Sequence, residues 1–298
     1  MTVRIGCSSG FWGDSQIAAA QLVQRGTIDY LVLDYLAEVT MGLLARAGSV
    51  SADAGYATDF VTGVMSPLLA DLQDRSVRVV TNAGGVNVRA CRDSLLRAAD
   101  RAGVSLRVAV VEGDDLLPRI DELLPLLQRA SGPGLPAAEE LLSINAYLGA
   151  APIAAALGEG ADVVITGRCV DSALALGPLM HEFSWAEDDH PRLAAGSLAG
   201  HVIECGAQAT GGLFTDWTDV PGWDDIGYPI VECEPDGTFV VTKPPGTGGL
   251  VTPETVAEQI VYEIGDPRAY QQPDVTCDFS QIQLEQAGED RVRISGVG

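Results

Sequence analysis

Two short stretches of this chain hold the residue types that move protons. In Thr166-Gly167-Arg168-Cys169-Val170-Asp171, Arg168 and Asp171 stand three residues apart at the end of an apolar run. An arginine there can clamp a carboxylate or a phosphate. Asp171 is a candidate general base, or else the cap of the helix that follows. Gly200 to Gly212 holds His201 and Glu204, which share a face if the segment is helical. That spacing suits an acid–base pair. It would also suit a metal pair, but no third ligand stands nearby, so we expect no metal. Lys243 is the one lysine among 18 basic side chains. Lysine is a compact charge whose pKa can be depressed, and we expect Lys243 as an electrostatic partner of the acids, beside the glycine-rich Gly246-Thr247-Gly248-Gly249.

Two further loops have the composition of binding loops. Gly6 to Asp14 places Ser8, Ser9, Gly10, Gly13 and Asp14 between an apolar run and a helix. Glycine lets a backbone approach a ligand closely, and a helix N-terminus favours an anion. The competing reading is a tight turn with an N-cap. Thr81 to Asn87 offers Asn82 and Asn87 as neutral donors and acceptors, with Gly84 and Gly85 clearing space for a carbonyl or carboxylate; an asparagine-capped turn accounts for it equally well. Gly248 and Gly249 complete the expected binding set.

The elements that must carry these loops are legible as runs. Val3-Arg4-Ile5, Tyr30-Leu31-Val32-Leu33, Arg78-Val79-Val80, Arg107 to Val111 and Asp162 to Ile165 are apolar and β-branched, and each ends in a polar or glycine-rich loop or at an acid. Continuous apolar runs predict strands buried on both faces of a parallel sheet. Helices are expected at about 15–24, 35–47, 59–73 (kinked at Pro67), 88–102, 115–129, 143–157 and 172–180, with a break at Gly132-Pro133-Gly134. This alternation predicts an α/β fold, a doubly wound and mostly parallel sheet over residues 1–183. In such a sheet ligands sit beyond the carboxyl ends of the strands. Residues 184–298 read as an appended α+β region covering the sheet edge, with strands at 230–232, 239–242 and 292–295 and a helix over 252–264. Asp236-Gly237 marks a hairpin.

Composition bounds the partners. The chain has 298 residues, 47% of them hydrophobic, and a formal charge of −23. Such a charge repels nucleic acid and anionic membranes. Six cysteines without paired spacing read as free thiols in a reducing compartment. Met1-Thr2-Val3-Arg4 opens directly into a strand, and no run is long enough to span a membrane, so we expect a cytoplasmic protein.

The run Gly6 to Asp14, Tyr30 to Leu33, Thr81 to Gly84, Val164 to Asp171, Glu204 to Gly212, and Lys243 with Gly246 to Gly249 together resemble the acyclic terpene utilisation A family. The likeness extends in order over nearly the whole chain. It implies a link to bacterial breakdown of citronellol- and geraniol-type terpenes, whose intermediates are acyl-coenzyme A thioesters. It supplies neither a chemical step nor catalytic residues. Relatives carry a further small C-terminal domain; the end at Gly298, straight after an expected strand, leads us to expect more chain or a partner chain that completes the sheet.

The expectation is an enzyme acting on a carboxylic acid or acyl (coenzyme A-type) thioester, with lyase- or hydratase-type proton or water chemistry next to the carbonyl. Asp171, Glu204, His201 and Lys243 would be catalytic, and Arg168 would fix the anionic end. No certain cofactor is expected; a homo-oligomer is. The alternatives are a non-catalytic subunit that binds a thioester or a partner, and a nicotinamide-dependent oxidoreductase, for which Asp34 ends the second strand where a ribose-binding acid belongs but the glycine spacing is imperfect.

Overall fold

The computed structural model describes residues 1–131 and 136–298; the expected break at Gly132-Pro133-Gly134 lies outside them. Five apolar runs form parallel strands: β1 (Val3–Cys7), β2 (Tyr30–Leu33), β3 (Arg78–Thr81), β4 (Val108–Val111) and β5 (Val163–Thr166). The stretch after residue 184 contributes β6 (Ile230–Cys233), β7 (Phe239–Thr242), a small ribbon of β8 (Tyr270–Gln271) and β9 (Thr276–Cys277), then β10 (Gln283–Gly288) and β11 (Arg291–Ser295). One nine-stranded sheet results, in the order β10-β11-β7-β6-β1-β2-β3-β5-β4. β6 pairs antiparallel with β1, so the later strands continue the sheet instead of lying over its edge. The Asp236-Gly237 hairpin forms between β6 and β7, with Gly237 at φ +91°.

Alternate strand residues feed opposite cores, as the two-residue period requires. Leu31, Leu33, Val79, Val163 and Ile165 pack against α1 (Ala18–Arg25), α2 (Glu38–Val50), α3 (Ser66–Arg75) and α4 (Val88–Ala102). Tyr30, Val32, Val80 and Val164 pack on the other side. That second core is built by α6 (Ala151–Gly158), α7 (Ala173–Phe183), α8 (His190–Ile203) and α9 (Pro253–Val261), while among the described residues α5 (Ile120–Ser131) contributes no side chain to either core. β3 hands the chain to α4 on one face, and its neighbour β5 hands it to α7 on the other. The chain therefore splits at the carboxyl ends of these strands, where an α/β sheet opens its crevice.

Three departures from the sequence pattern have physical causes. The helix over 59–73 begins as a π-helical turn, Phe60–Met65, before α3. Pro67 has no N–H to give, and the wider turn absorbs the missing bond at the start of α3. The helix expected over 143–157 begins only at Ala151. Upstream of it, Asn145 and Leu148 form bridges to Asp115 and Cys169, which claims that backbone for extended structure. α8 carries no apolar period because Leu193 to Ile203 is buried on every side. Its Gly200 lies where a Cβ would sit 2.5 Å from the Ser172 carbonyl, so only glycine lets it touch the start of α7.

Candidate functional site

The carboxyl ends of β1, β2 and β5, the turn after α8 and the turn after α9 enclose a cavity of about 590 Å³. Among the described residues its lining includes six acids, Asp14, Asp34, Glu38, Asp171, Glu204 and Glu263, and one cation, Arg168.

Arg168 is placed from below and above. Its N–H donates to Asp114 Oδ2 at the end of β4 (2.8 Å), and a Cβ on Gly167 would sit 2.5 Å from that carboxylate. The Leu148–Cys169 bridge then lays Tyr147 against the guanidinium, whose carbon lies 4.1 Å from the ring centroid. Nη1 donates to Asp171 Oδ1 (2.5 Å) and to the Cys169 carbonyl (2.8 Å). Tyr147 in turn donates its hydroxyl to Glu38, the first residue of α2, which holds the Glu38 carboxyl below its ordinary value. Burial pushes the Asp171 carboxyl up; Arg168 pulls it back, and the net shift is upward.

Asp34 is 3% exposed at the end of β2. Its Oδ1 accepts from Asn82 Nδ2 (2.6 Å) and from the Leu36 N–H (3.2 Å). Oδ2 has no hydrogen-bond partner among the described residues. Burial and the neighbouring Asp171 push this carboxyl well above the usual range, against the hydrogen bond from Asn82; Glu204 adds to the rise. Burial likewise raises Asp14, whose Oδ2 accepts the Gly10 N–H (3.0 Å).

His201 and Glu204 stand one helical turn apart at the end of α8. His201 Nδ1 lies 2.8 Å from Glu204 Oε1, and Nε2 lies 3.2 Å from the Ile260 carbonyl. A carbonyl only accepts, so Nε2 carries a hydrogen. The contact at Nδ1 then requires a second proton, on the imidazole or on the carboxyl. Burial opposes a charged imidazole, but Glu204 outweighs it and His201 moves above its ordinary value. Burial also raises Glu204, which His201 lowers and Asp171 and Glu263 raise. Gly10 brings this pair to the cavity: a Cβ there would stand 2.8 Å from Cys205 Cα, so the β1 loop and the α8 turn touch backbone to backbone. Cys205 also lines the cavity, and burial pushes its thiol up to about 12, which disfavours the thiolate.

Of the residues singled out in the sequence, Gly10, Asp14, Arg168, Asp171 and Glu204 line the cavity, with His201 directly behind Glu204. Asn82 does not line it; it is fully buried and clamps Asp34 while its Oδ1 accepts the Tyr35 N–H (2.7 Å). Asn87 caps α4 and ties down the Ala52 and Ala54 carbonyls. Gly84 is forced by the Thr166 carbonyl, and Gly85 takes φ +54° against Gly55. Ser8 and Ser9 lie just below the cavity, where the Ser8 N–H and the Ser9 carbonyl bond to β2 and to Asp34 N–H. Gly13 turns the β1 loop at φ +88°. Lys243, Gly248 and Gly249 lie elsewhere: Lys243 pairs with Asp290 (2.8 Å) and donates to the Thr247 carbonyl, and both glycines serve close backbone crossings near Gly222 and Thr210.

Sequence reasoning missed Glu38, Tyr147, Tyr262 and Glu263, and gave Asp34 a different role. Glu263 takes φ +59°, a strained conformation for a non-glycine residue. Against a dinucleotide, the Asp14 carboxylate already occupies the Gly10 N–H that a pyrophosphate would need. Among the described residues no group of three or more potential ligands is placed to hold a metal ion, and no helix is long and apolar enough to cross a membrane.

No curated protein and no solved structure matches the chain. A family model does match it, over residues 3–298: acyclic terpene utilisation family protein AtuA. The chain belongs to that family.

Proposed function

We propose that this member of the acyclic terpene utilisation family is an enzyme with hydratase- or lyase-type activity, which adds or removes water, or moves a proton, on a carboxylic acid or acyl thioester. The observation that carries the reading is the proton-holding set around one cavity: the His201–Glu204 pair, the Asp34 carboxyl clamped by Asn82, and Asp171 paired with Arg168. Carboxyls raised toward neutral pH are what general acid–base catalysis requires. Arg168 meets the anionic or carbonyl end of the substrate. Glu204, backed by His201, takes a proton, and Asp34 gives one.

The test is incubation of the purified chain with geranic acid, citronellic acid and their coenzyme A thioesters, read by mass spectrometry for gain or loss of one water or incorporation of solvent deuterium. Conversion that falls by about 100-fold in Glu204→Gln and at least tenfold in Arg168→Lys supports the reading. Conversion unchanged in both folded variants would falsify it.

A further inference from the structure

The charges around the cavity set which kind of transition state it favours. An enzyme that forms an enolate beside a carbonyl must stabilise negative charge, and does so with donors, cations or metal ions aimed at the developing oxyanion. This cavity has the opposite balance. Among the described residues six acids line it against one arginine, and that guanidinium is already paired with Asp171. The N-terminus of α2 also reaches the wall, and Glu38 covers it with its own carboxylate. Phe11 and Tyr262 line the same space, and aromatic faces also favour positive charge. Asp34 supplies the second element: it is buried yet lines the cavity, both its side-chain hydrogen bonds go to Oδ1, and Oδ2 has no hydrogen-bond partner among the described residues.

We propose that the reaction proceeds through positive charge on carbon: Asp34 protonates a trisubstituted carbon–carbon double bond of a small branched monocarboxylate, and water adds to the resulting tertiary cation. This rests on the hydratase- or lyase-type reading above and fixes where on the substrate it acts. The balance is closed. The Oδ2–H bond of Asp34 breaks as a new C–H bond forms at the less substituted carbon. The alkene electron pair makes that bond and leaves the cation on the more substituted carbon, which the facing carboxylates stabilise. A water oxygen bonds to the cation and loses its proton to Glu204, with His201 behind it. Proton transfer from Glu204 to Asp34 resets the site, so the net change is addition of one water. A cavity of about 590 Å³ has room for a ten-carbon acid.

Geranic acid offers both choices in one molecule, a double bond conjugated with the carboxyl group and a remote one; citronellic acid has only the remote one. The full chain is incubated with each in heavy water, and products are located by NMR. The proposal expects a tertiary alcohol at the remote double bond of both acids, with one deuterium on the adjacent carbon. It also expects a loss of at least 100-fold in Asp34→Asn, a variant that keeps an acceptor for Asn82. Addition only at the conjugated double bond, with citronellic acid untouched, would overturn this proposal and leave the hydratase- or lyase-type reading standing. No addition to either acid, or an Asp34→Asn variant as active as the parent, would also overturn it. Turnover of the coenzyme A thioesters alone would do so while sparing the broader reading.

Discussion

His201 Nδ1 lies 2.8 Å from Glu204 Oε1, one helical turn away, while its other ring nitrogen faces the Ile260 carbonyl. That carbonyl fixes a hydrogen on Nε2, so the contact between histidine and glutamate contains one more proton shared by the two. Glu204→Gln removes the charge that raises His201 and keeps the side chain's size. The His201 titration followed by NMR is expected to move down, toward or below its ordinary value, since burial alone opposes protonation. Turnover is expected to fall by about 10²–10⁴-fold.

Stability should be greater on the acidic side of neutral. Asp14, Asp34, Asp114, Asp171 and Glu204 all have folded pKa values raised above their ordinary ones, first by burial. Between the ordinary and the raised values the native state binds more protons than the unfolded chain. Stability therefore falls as pH rises through the raised values, and their contribution is complete below the ordinary ones. His201, also raised, has the same sign. Glu232 runs the other way; it is lowered, net, by Arg291 and Arg4 against its burial, and its contribution is lost as pH falls through its depressed value. The thermal unfolding temperature is expected to fall as pH rises from the ordinary carboxylate range through the raised values, and the fall should shrink in Asp34→Asn.

The Asn82–Asp34 clamp separates stability from activity. Asn82→Ala leaves Asp34 Oδ1 and the Tyr35 N–H without their buried partner, at a cost of about 2–4 kcal/mol measurable by denaturant unfolding. Asp34→Asn keeps an acceptor at the same place and removes a buried acid. It is expected to stabilise the fold by about 1 kcal/mol at neutral pH, roughly 2–3 °C, while activity is lost.

Two glycines distinguish a site contact from helix propensity. Gly10→Ala drives a Cβ against Cys205 backbone, which should cost about 1–3 kcal/mol and spread the two loops that bring Asp14 and Glu204 together. Gly42→Ala, inside α2 with nothing within 4 Å of the new carbon, should stabilise by about 0.5–1 kcal/mol. Unfolding midpoints and turnover of the two variants, measured together, check both.

The parallel half of the sheet was readable because its strands are buried on both faces and so are apolar without interruption. The edge of the sheet that carries the loops followed from that, which is why Asp14, Arg168 and Asp171 share one cavity, while Glu204 reaches it from the turn after α8. Other features leave no local signal. Leu193 to Ile203 is buried all round, so α8 has no period to detect, although it positions His201. Tyr147 sits in extended chain that its composition disguises as helix, and only the Cys169 bridge explains it. Lys243 stood out as the single lysine, yet rarity says nothing about place: it closes an ion pair with Asp290, away from the cavity. Gly84 and Gly85 looked like space for a ligand and are instead space for Thr166 and Gly55.

Infrared difference spectroscopy tests the central claim most directly, because a protonated carboxyl group absorbs apart from a carboxylate. The account predicts that at neutral pH the native chain shows a protonated carboxyl band, shifted in heavy water, that is lost in Asp34→Asn. A spectrum with no such band, or one that Asp34→Asn leaves unchanged, would contradict it.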